Sequence, residues 1–450
     1  MKNQFLIVLG ALLVMASCKQ EKPKEEAEEK TNAVSNTIET ITPDGAWCWF
    51  SDPRAIYVHG ENPGVLTGWV KADGTIEVAQ IYPKGAIKTQ ILADTLDKDD
   101  HANPAFVELS NNQNMVFYTK HFDYYVRHHT SMIGGNELFN NAVLFDPFTD
   151  EELEKFPVKR TTYANPFSLE AEGGKLYCFG RWTGYKPNIM TSIDNGKSFS
   201  KSRVMITNYP FDNNNRPYVK YYSDGKSKIH IVFTDGHPSI ELTNSIYYAY
   251  YENDAFWRAD GTKICSMEEL PFEPKDATVV YKADETNGKS WIYDVAADKK
   301  GNPVILYTRY PDDEHHIYHY TKYDGTTWID NQIVDSGDWF PQTIEGTEER
   351  ELNYSGGLTV NPLNTNIIFT SEEVNGIMEI VKYQLDDSGR IKSKEQITKD
   401  SKYDNIRPFI PRNMKIGDEP VVLWMQNEKY IHYTDYKTQI KYYKDSARSN

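Results

Sequence analysis

The sequence predicts an all-β protein of the propeller class, and three observations predict it. Short strand-like runs recur along the chain, turn dipeptides sit between them, and one segment matches an Asp-box. The runs include AIYVHG, VLTGWV, AFVEL, MVFYT, KLYCFGRW, KIHIVFTDG, PVILYTRY, NIIFTSEE and PVVLWMQ. Each alternates or stays apolar for four to eight residues, the pattern of half-buried or fully buried strands. The turn pairs are Asp73-Gly74, Asn195-Gly196, Asp224-Gly225, Asp260-Gly261, Gly301-Asn302 and Asp324-Gly325; they suit tight hairpins. Long amphipathic helical periods are scarce, which leaves a sandwich, a barrel or a propeller.

The Asp-box narrows this choice. Ser192-Ile193-Asp194-Asn195-Gly196-Lys197-Ser198-Phe199 fits S-x-D-x-G-x-x-[WF], and Lys322 to Trp328 echoes it loosely. The Asp is expected to accept backbone N–H bonds, the Gly to take a positive φ, and the aromatic to pack back under the hairpin. Such turns decorate the blades of sialidase-like propellers. Seven blades across residues 41–450 would take roughly 59 residues each, more than the 40–50 of familiar propeller repeats, so long face loops are expected. No composition break marks a second domain within 41–450.

The first residues are read apart from that domain. Lys2 precedes an apolar run from Phe5 to Met15, and Ala16-Ser17 precede Cys18. The run is short for a membrane span and suits a lipoprotein signal peptide over 1–17, cleaved before a lipidated Cys18. The alternative is an ordinary secretory signal. Residues 18–40 are charged and poor in large apolar residues, a disordered tether. The acidic residues after Cys18 resemble the surface-export signal of Bacteroidetes lipoproteins. The expected location is therefore the outer membrane or cell surface, with the periplasmic side as alternative, and membrane contact through the lipid alone.

Composition limits the partners. Asp and Glu number 65 against 49 Lys and Arg, a net charge of -16. A nucleic-acid binder would show a basic face, so that class is set aside. An anionic ligand would need a local basic pocket against the average field. Four cysteines form neither a disulfide scaffold nor a C-x-x-C zinc pattern.

Candidate chemistry begins with the 11 histidines. Asp99-Asp100-His101-Ala102-Asn103-Pro104 precedes the strand AFVEL, and the next strand, MVFYT, ends in Lys120-His121. An antiparallel hairpin places its start and end at one edge, so His101 and His121 should meet. The bland alternative is a pair of surface loop histidines. The next hairpin repeats the geometry: Tyr163-Ala164-Asn165-Pro166 leads into FSLEAEGGKLYCFGRW, which ends near Arg181. Tyr163 could equally be one of many structural tyrosines, and Arg181 half of a surface ion pair.

Such a quartet suits β-elimination on an acidic sugar. A cation must neutralise the carboxylate beside the C5–H, a base must take that proton, and an acid must protonate the leaving oxygen. Arginine matches a carboxylate through its planar fork, while His and Tyr can transfer protons. No metal is needed for the step. A glycosidase would instead need a carboxylate pair, for which Asp99, Asp100 and Asp123 are the candidates.

At this point the motifs resemble a family. Trp47 to Arg54 (WCWFSDPR), Asp99 to Pro104, Arg216-Pro217-Tyr218-Val219-Lys220, Phe233 to Pro238 and the stretch from Ser245 to Gly261 are similar to BNR-4-type propellers. Within that group the chain resembles the ulvan lyases of polysaccharide lyase families 24 and 25 and related rhamnosyl–glucuronate lyases and rhamnosidases. The resemblance implies a seven-bladed propeller that cleaves between rhamnose, often sulfated, and glucuronic or iduronic acid. It assigns His101, His121, Tyr163 and Arg181 as catalytic. Tyr163 and His101 would transfer protons, His121 would support or share that role, and Arg181 would neutralise the carboxylate. Asn103, Arg216 and Lys220 become substrate-binding candidates. A structural metal is also implied, with His237, Cys265 and His316 as candidate ligands for zinc; the alternative is a buried thiol and two surface imidazoles. The expected partner is an acidic, sulfated polysaccharide bound by a monomer. The other functions weighed are a rhamnosidase-type hydrolase on the same fold, with its chemistry on the opposite face, and a non-catalytic glycan-binding lipoprotein.

Overall fold

The computed structural model describes residues 38–60, 62–132, 137–312, 314–337 and 356–444. The signal peptide at 1–17, Cys18 and most of the tether lie outside them. Seven antiparallel sheets are formed in chain order. Their innermost strands are Ala55–Val58, Ala105–Glu108, Thr162–Leu169, Val219–Tyr222, Lys289–Ala297, Leu358–Val360 and Asp404–Phe409. Six sheets have four strands; the fourth, beginning at Val219, has six. This is the seven-bladed propeller expected.

The ring closes by a device that hydropathy did not reveal. Strand Ile38–Thr42 is the outermost strand of the last blade, paired with Asp435–Lys444 in the register Ile38↔Tyr443. The propeller therefore includes residues 38–40, inside the stretch read as tether. Joining both ends of the chain in one sheet removes two open strand edges. Near the axis, Tyr57 N–H donates to Arg412 O and Arg412 N–H to Ala55 O, linking the first and last blades.

The Asp-box behaves as its chemistry requires. Asp194 Oδ1 accepts from Ser198 N–H at 3.0 Å, Gly196 takes φ +78°, and Phe199 packs edge-on against Phe117 in the neighbouring blade. Bonds from the Ser198 hydroxyl, at 2.6 Å, and the Ser198 N–H hold the half-buried Asp194 carboxyl down at about 2. The apolar faces of adjacent blades meet in continuous cores, with Trp47, Trp69 and Trp424 fully buried between the last blade and the first.

Around the axis, the buried charges are paired between blades. Lys220 Nζ donates to the Asp52 carboxylate and the Trp49 carbonyl, and Arg54 Nε donates to Asp52 at 2.8 Å. Arg412 pairs with Asp294, and Arg407 with Asp100. Removing one member of such a pair leaves an uncompensated buried charge, typically costing about 3–5 kcal/mol. Lys220 is thus part of the scaffold; its side chain is 2% exposed and is not placed to meet a ligand.

Three buried scaffold histidines make stability depend on pH. Burial pushes His128 and His230 down to about 4 and His316 to about 3. An unfolded chain takes up these protons near pH 6.5, so below that pH it binds more protons than the fold does. Stability is therefore present above about 6.5 and is lost as pH falls from there toward 4. At pH 5 each of these groups withdraws up to about 2 kcal/mol. Thermal unfolding should show a clear drop in melting temperature from pH 7 to pH 5. A flat profile would show that these imidazoles are protonated in the fold.

Candidate active site

The two hairpins deliver their end residues to one point beside the axis. Asp99 starts the arrangement by capping the short turn Asp100–Ala102, where its Oδ1 accepts from His101 N–H at 2.9 Å. The same carboxylate then clamps two rings. His101 Nδ1 donates to Asp99 Oδ1 at 2.6 Å, and His121 Nδ1 donates to Asp99 Oδ2 at 2.8 Å. The imidazoles consequently stack, with centroids 4.3 Å apart and planes 8° from parallel.

The stack holds unlike protonation states. Burial works against charge on His101, but the carboxylates of Asp99 and Asp100 beside it outweigh burial and hold its pKa well above the usual imidazole range. Burial and the neighbouring His101 charge push His121 down to about 4. His121 is therefore neutral, with its proton on Nδ1, and its Nε2 accepts from Arg181 Nη2 at 3.4 Å. Burial would raise Asp99, but the two histidines keep its carboxyl far below the usual carboxylate range. Beneath the stack, Arg407 and Tyr430 O–H both donate to Asp100 Oδ2. Arg407 thereby keeps the second carboxylate charged, although burial opposes it.

Tyr163 reaches the site through a strand irregularity. The pairing Thr162↔Arg181 resumes only at Asn165↔Phe179, so Tyr163 and Ala164 form a bulge with Tyr163 at φ +65°. A bulky residue in that region is strained and persists only where its surroundings impose it. Trp182 Nε1 imposes it here by donating to Tyr163 O at 3.0 Å. Gly180 makes room for this contact, since a Cβ there would lie 2.0 Å from Trp182 Nε1 and 2.5 Å from Tyr163 O. Gly180→Ala should cost about 1–3 kcal/mol by overpacking and lower activity further by displacing Tyr163. Denaturant unfolding and turnover of the same sample check this; unchanged values for both would show that the bulge does not depend on Gly180.

Arg181 lies between two tyrosine rings, 5.0 Å from the centroid of Tyr163 and 5.0 Å from that of Tyr218. Burial disfavours its charge, but the two phenols outweigh that and raise its pKa further. Among the described residues, its Nε and Nη1 and the Tyr163 hydroxyl are buried and make no hydrogen bond. Beside them is a cavity of about 20 Å³, lined in part by Phe50, Tyr163, Asn165, Arg181 and Tyr218, room for a single water. Burial holds the Tyr163 phenol well above its ordinary pKa, so it is a neutral O–H donor.

The other expected residues are placed elsewhere. Asn103 is 1% exposed; its Oδ1 accepts from Cys48 N–H at 3.1 Å and its Nδ2 donates to Ser51 O at 3.2 Å. It braces the WCWF segment and is not among the residues lining the cavity. Arg216 lies outside the four residues, over the Tyr185 ring at 4.1 Å. The three candidate zinc ligands do not converge, because His237 stands beside Tyr218 and Trp291, Cys265 lies on an outer strand opposite Phe256, and His316 is bonded to Tyr293 O–H at 3.0 Å. A zinc does not fit that set. Among the described residues, the groups close enough to share an ion are Cys48, Asp100 and His101, and Asp99, His101 and His121. In the second group Asp99 already satisfies both Nδ1 atoms.

Sequence reasoning overlooked Phe50, Tyr218 and Tyr433. Phe50 packs on Tyr163 at 5.7 Å and Tyr218 at 4.9 Å, and Tyr433 sets its ring edge-on to His101 at 4.7 Å. Their signals were the aromatic run at Trp47–Phe50 and the Tyr in RPYVK; Tyr433 had none.

Fold and site together define a propeller with a small buried pocket lined by Arg181 and by aromatic rings. The chain belongs to the BNR repeat-containing family, whose model matches residues 66–336. No curated protein matches the sequence. Among solved structures it is similar to a polysaccharide lyase of family 25, an ulvan lyase bound to -[GlcA(1-4)Rha3S]-. The TM-score is 0.64 at 10% identity, covering 89% of this chain and 94% of that one. It is also similar to the polysaccharide lyase Uly1, at TM-score 0.57 and 12% identity, covering 90% and 97%. Identities this low establish the shared fold.

Proposed function

We propose that the protein is a polysaccharide lyase that cleaves, by β-elimination, the bond between rhamnose, sulfated or not, and a glucuronic or iduronic acid, with ulvan as the substrate. The observation that carries this reading is the buried Arg181 guanidinium, with two nitrogens and the neighbouring Tyr163 hydroxyl making no hydrogen bond among the described residues, beside the neutral Nε2 of His121. A uronate carboxylate would complete those nitrogens through the guanidinium fork. Its C5–H would then stand beside the guanidinium, within reach of the acceptor on His121. As the C5–H bond breaks, its electron pair forms the C4=C5 double bond and the C4–O pair leaves with the oxygen. Protonated His101 and the neutral Tyr163 hydroxyl are the donors at hand for that oxygen.

The hydrolase alternative draws less support from the site. Asp99 is engaged by both histidines, Asp100 by Arg407 and Tyr430, and Asp123 by Arg127. His59, the histidine nearest the WCWF segment, bonds Asp418 at 3.0 Å. As part of the same proposal, the enzyme acts as a monomer, held at the cell surface by a lipid on Cys18.

The test follows near-ultraviolet absorbance of the conjugated double bond as the chain from about residue 30 acts on ulvan. Wild type should raise it, and Tyr163→Phe should not. New reducing ends without that absorbance would move the assignment to a hydrolase.

A further inference from the structure

An aromatic row leads from the stacked histidines to an arginine that has no acidic partner among the described residues. Phe122 stacks on His121 at 3.9 Å, Tyr185 meets Phe122 edge-on at 5.6 Å, and the Arg216 guanidinium lies 4.1 Å over Tyr185. Two of these aromatics sit in left-handed backbone, Phe122 at φ +60° and Tyr185 at φ +56°. Each such placement costs about 1–3 kcal/mol and clusters at ligand-binding sites. Burial does not account for both, since Phe122 is 37% exposed and Tyr185 is half-buried. At the end of the row, Arg216 Nε donates to Asn213 O at 3.1 Å, and its terminal nitrogens make no hydrogen bond among the described residues. In a chain with net charge -16, a half-buried guanidinium held on a ring, with no carboxylate paired to it among the described residues, is poised for an external anion.

We propose that Phe122, Tyr185 and Arg216 form a subsite for an anionic sugar next to the bond that is cleaved. The sugar's apolar face lies on the aromatic row, and Arg216 binds its negatively charged substituent, a sulfate ester or a carboxylate. The subsite rests on the lyase reading, since the row begins at His121. It gives the acidic protein a second local cation along the substrate, beyond Arg181.

The experiment measures binding by calorimetry on a Tyr163→Phe background, which leaves the ligand intact. The ligands are a sulfated uronate oligosaccharide, its desulfated form and its carboxyl-reduced form. Arg216→Gln should weaken the sulfated ligand about tenfold. If sulfate is the group bound, the desulfated ligand is indifferent to the substitution; if carboxylate, the carboxyl-reduced one is. Arg216→Lys should recover part of the loss, and Tyr185→Ala should weaken all three ligands by about fivefold. Arg216→Gln with unchanged affinity for all three overturns the subsite while leaving the lyase reading intact. A protein with Arg216 in place that binds none of them, and whose wild type forms no unsaturated product, overturns both.

Discussion

Replacing Arg181 with alanine should lower kcat/KM on a uronate-containing polysaccharide by about 10²–10³-fold, the effect of removing one preorganised charge stabiliser. The size follows from where the guanidinium sits. It is 5% exposed, flanked by two aromatic faces, and lines the cavity. In such a water-poor site a fixed charge acts on a developing carbanion far more strongly than in solvent. Arg181→Lys should rescue little, because an ammonium lacks the planar fork. Near-wild-type activity in Arg181→Ala, with the fold verified by circular dichroism, would remove the carboxylate role.

The second large effect belongs to Asp99, which touches no substrate and acts through the histidines. Asp99→Ala frees the His121 Nδ1 and leaves the His101 Nδ1 only Asp100 Oδ1, at 3.2 Å, and a fall of about 10²-fold in kcat is expected from losing a positioned proton-transfer group. Asp99→Asn separates position from charge, since the amide oxygen can still accept from one ring. The groups facing His101 are Asp99 and Asp100 on its own turn, Cys48, His121, Tyr163 and Tyr433. Asp99 and Asp100 are the carboxylates among them, so removing one charge must lower the His101 pKa. Activity that needs protonated His101 is lost as pH rises through that pKa. The alkaline limb of the pH–rate profile should therefore move to lower pH in Asp99→Asn. An unmoved limb would assign that limb to another group.

The hairpins were legible because strand periodicity and a short polar loop suffice to bring His101 to His121 and Tyr163 to Arg181. The clamp between the histidines was not. Asp99 could be weighed only as a glycosidase carboxylate, because its two bonds depend on a three-residue turn and on a histidine 22 positions away. The bulge at Tyr163–Ala164 was hidden for a similar reason: it is set by Trp182 reaching back over Gly180, a contact that periodicity does not encode. Lys220 was misread because a buried cation paired across the axis and a cation awaiting substrate look alike in a sequence. Their difference is Asp52, 168 positions away. The closing strand Ile38–Thr42 finds its partner near the far end of the chain, so its exposed first three residues, 38–40, read as tether. The candidate zinc ligands failed on distance, since three residues in three surroundings carry no local mark of being apart.

The most direct test of the elimination is the mass balance of a single cleavage. An oligosaccharide of defined length is digested by the wild-type chain, and both fragments are weighed by mass spectrometry. Elimination moves a proton from C5 to the leaving oxygen and adds nothing, so the two fragment masses should sum to that of the substrate. A sum larger by one water would contradict the account and make the protein a hydrolase.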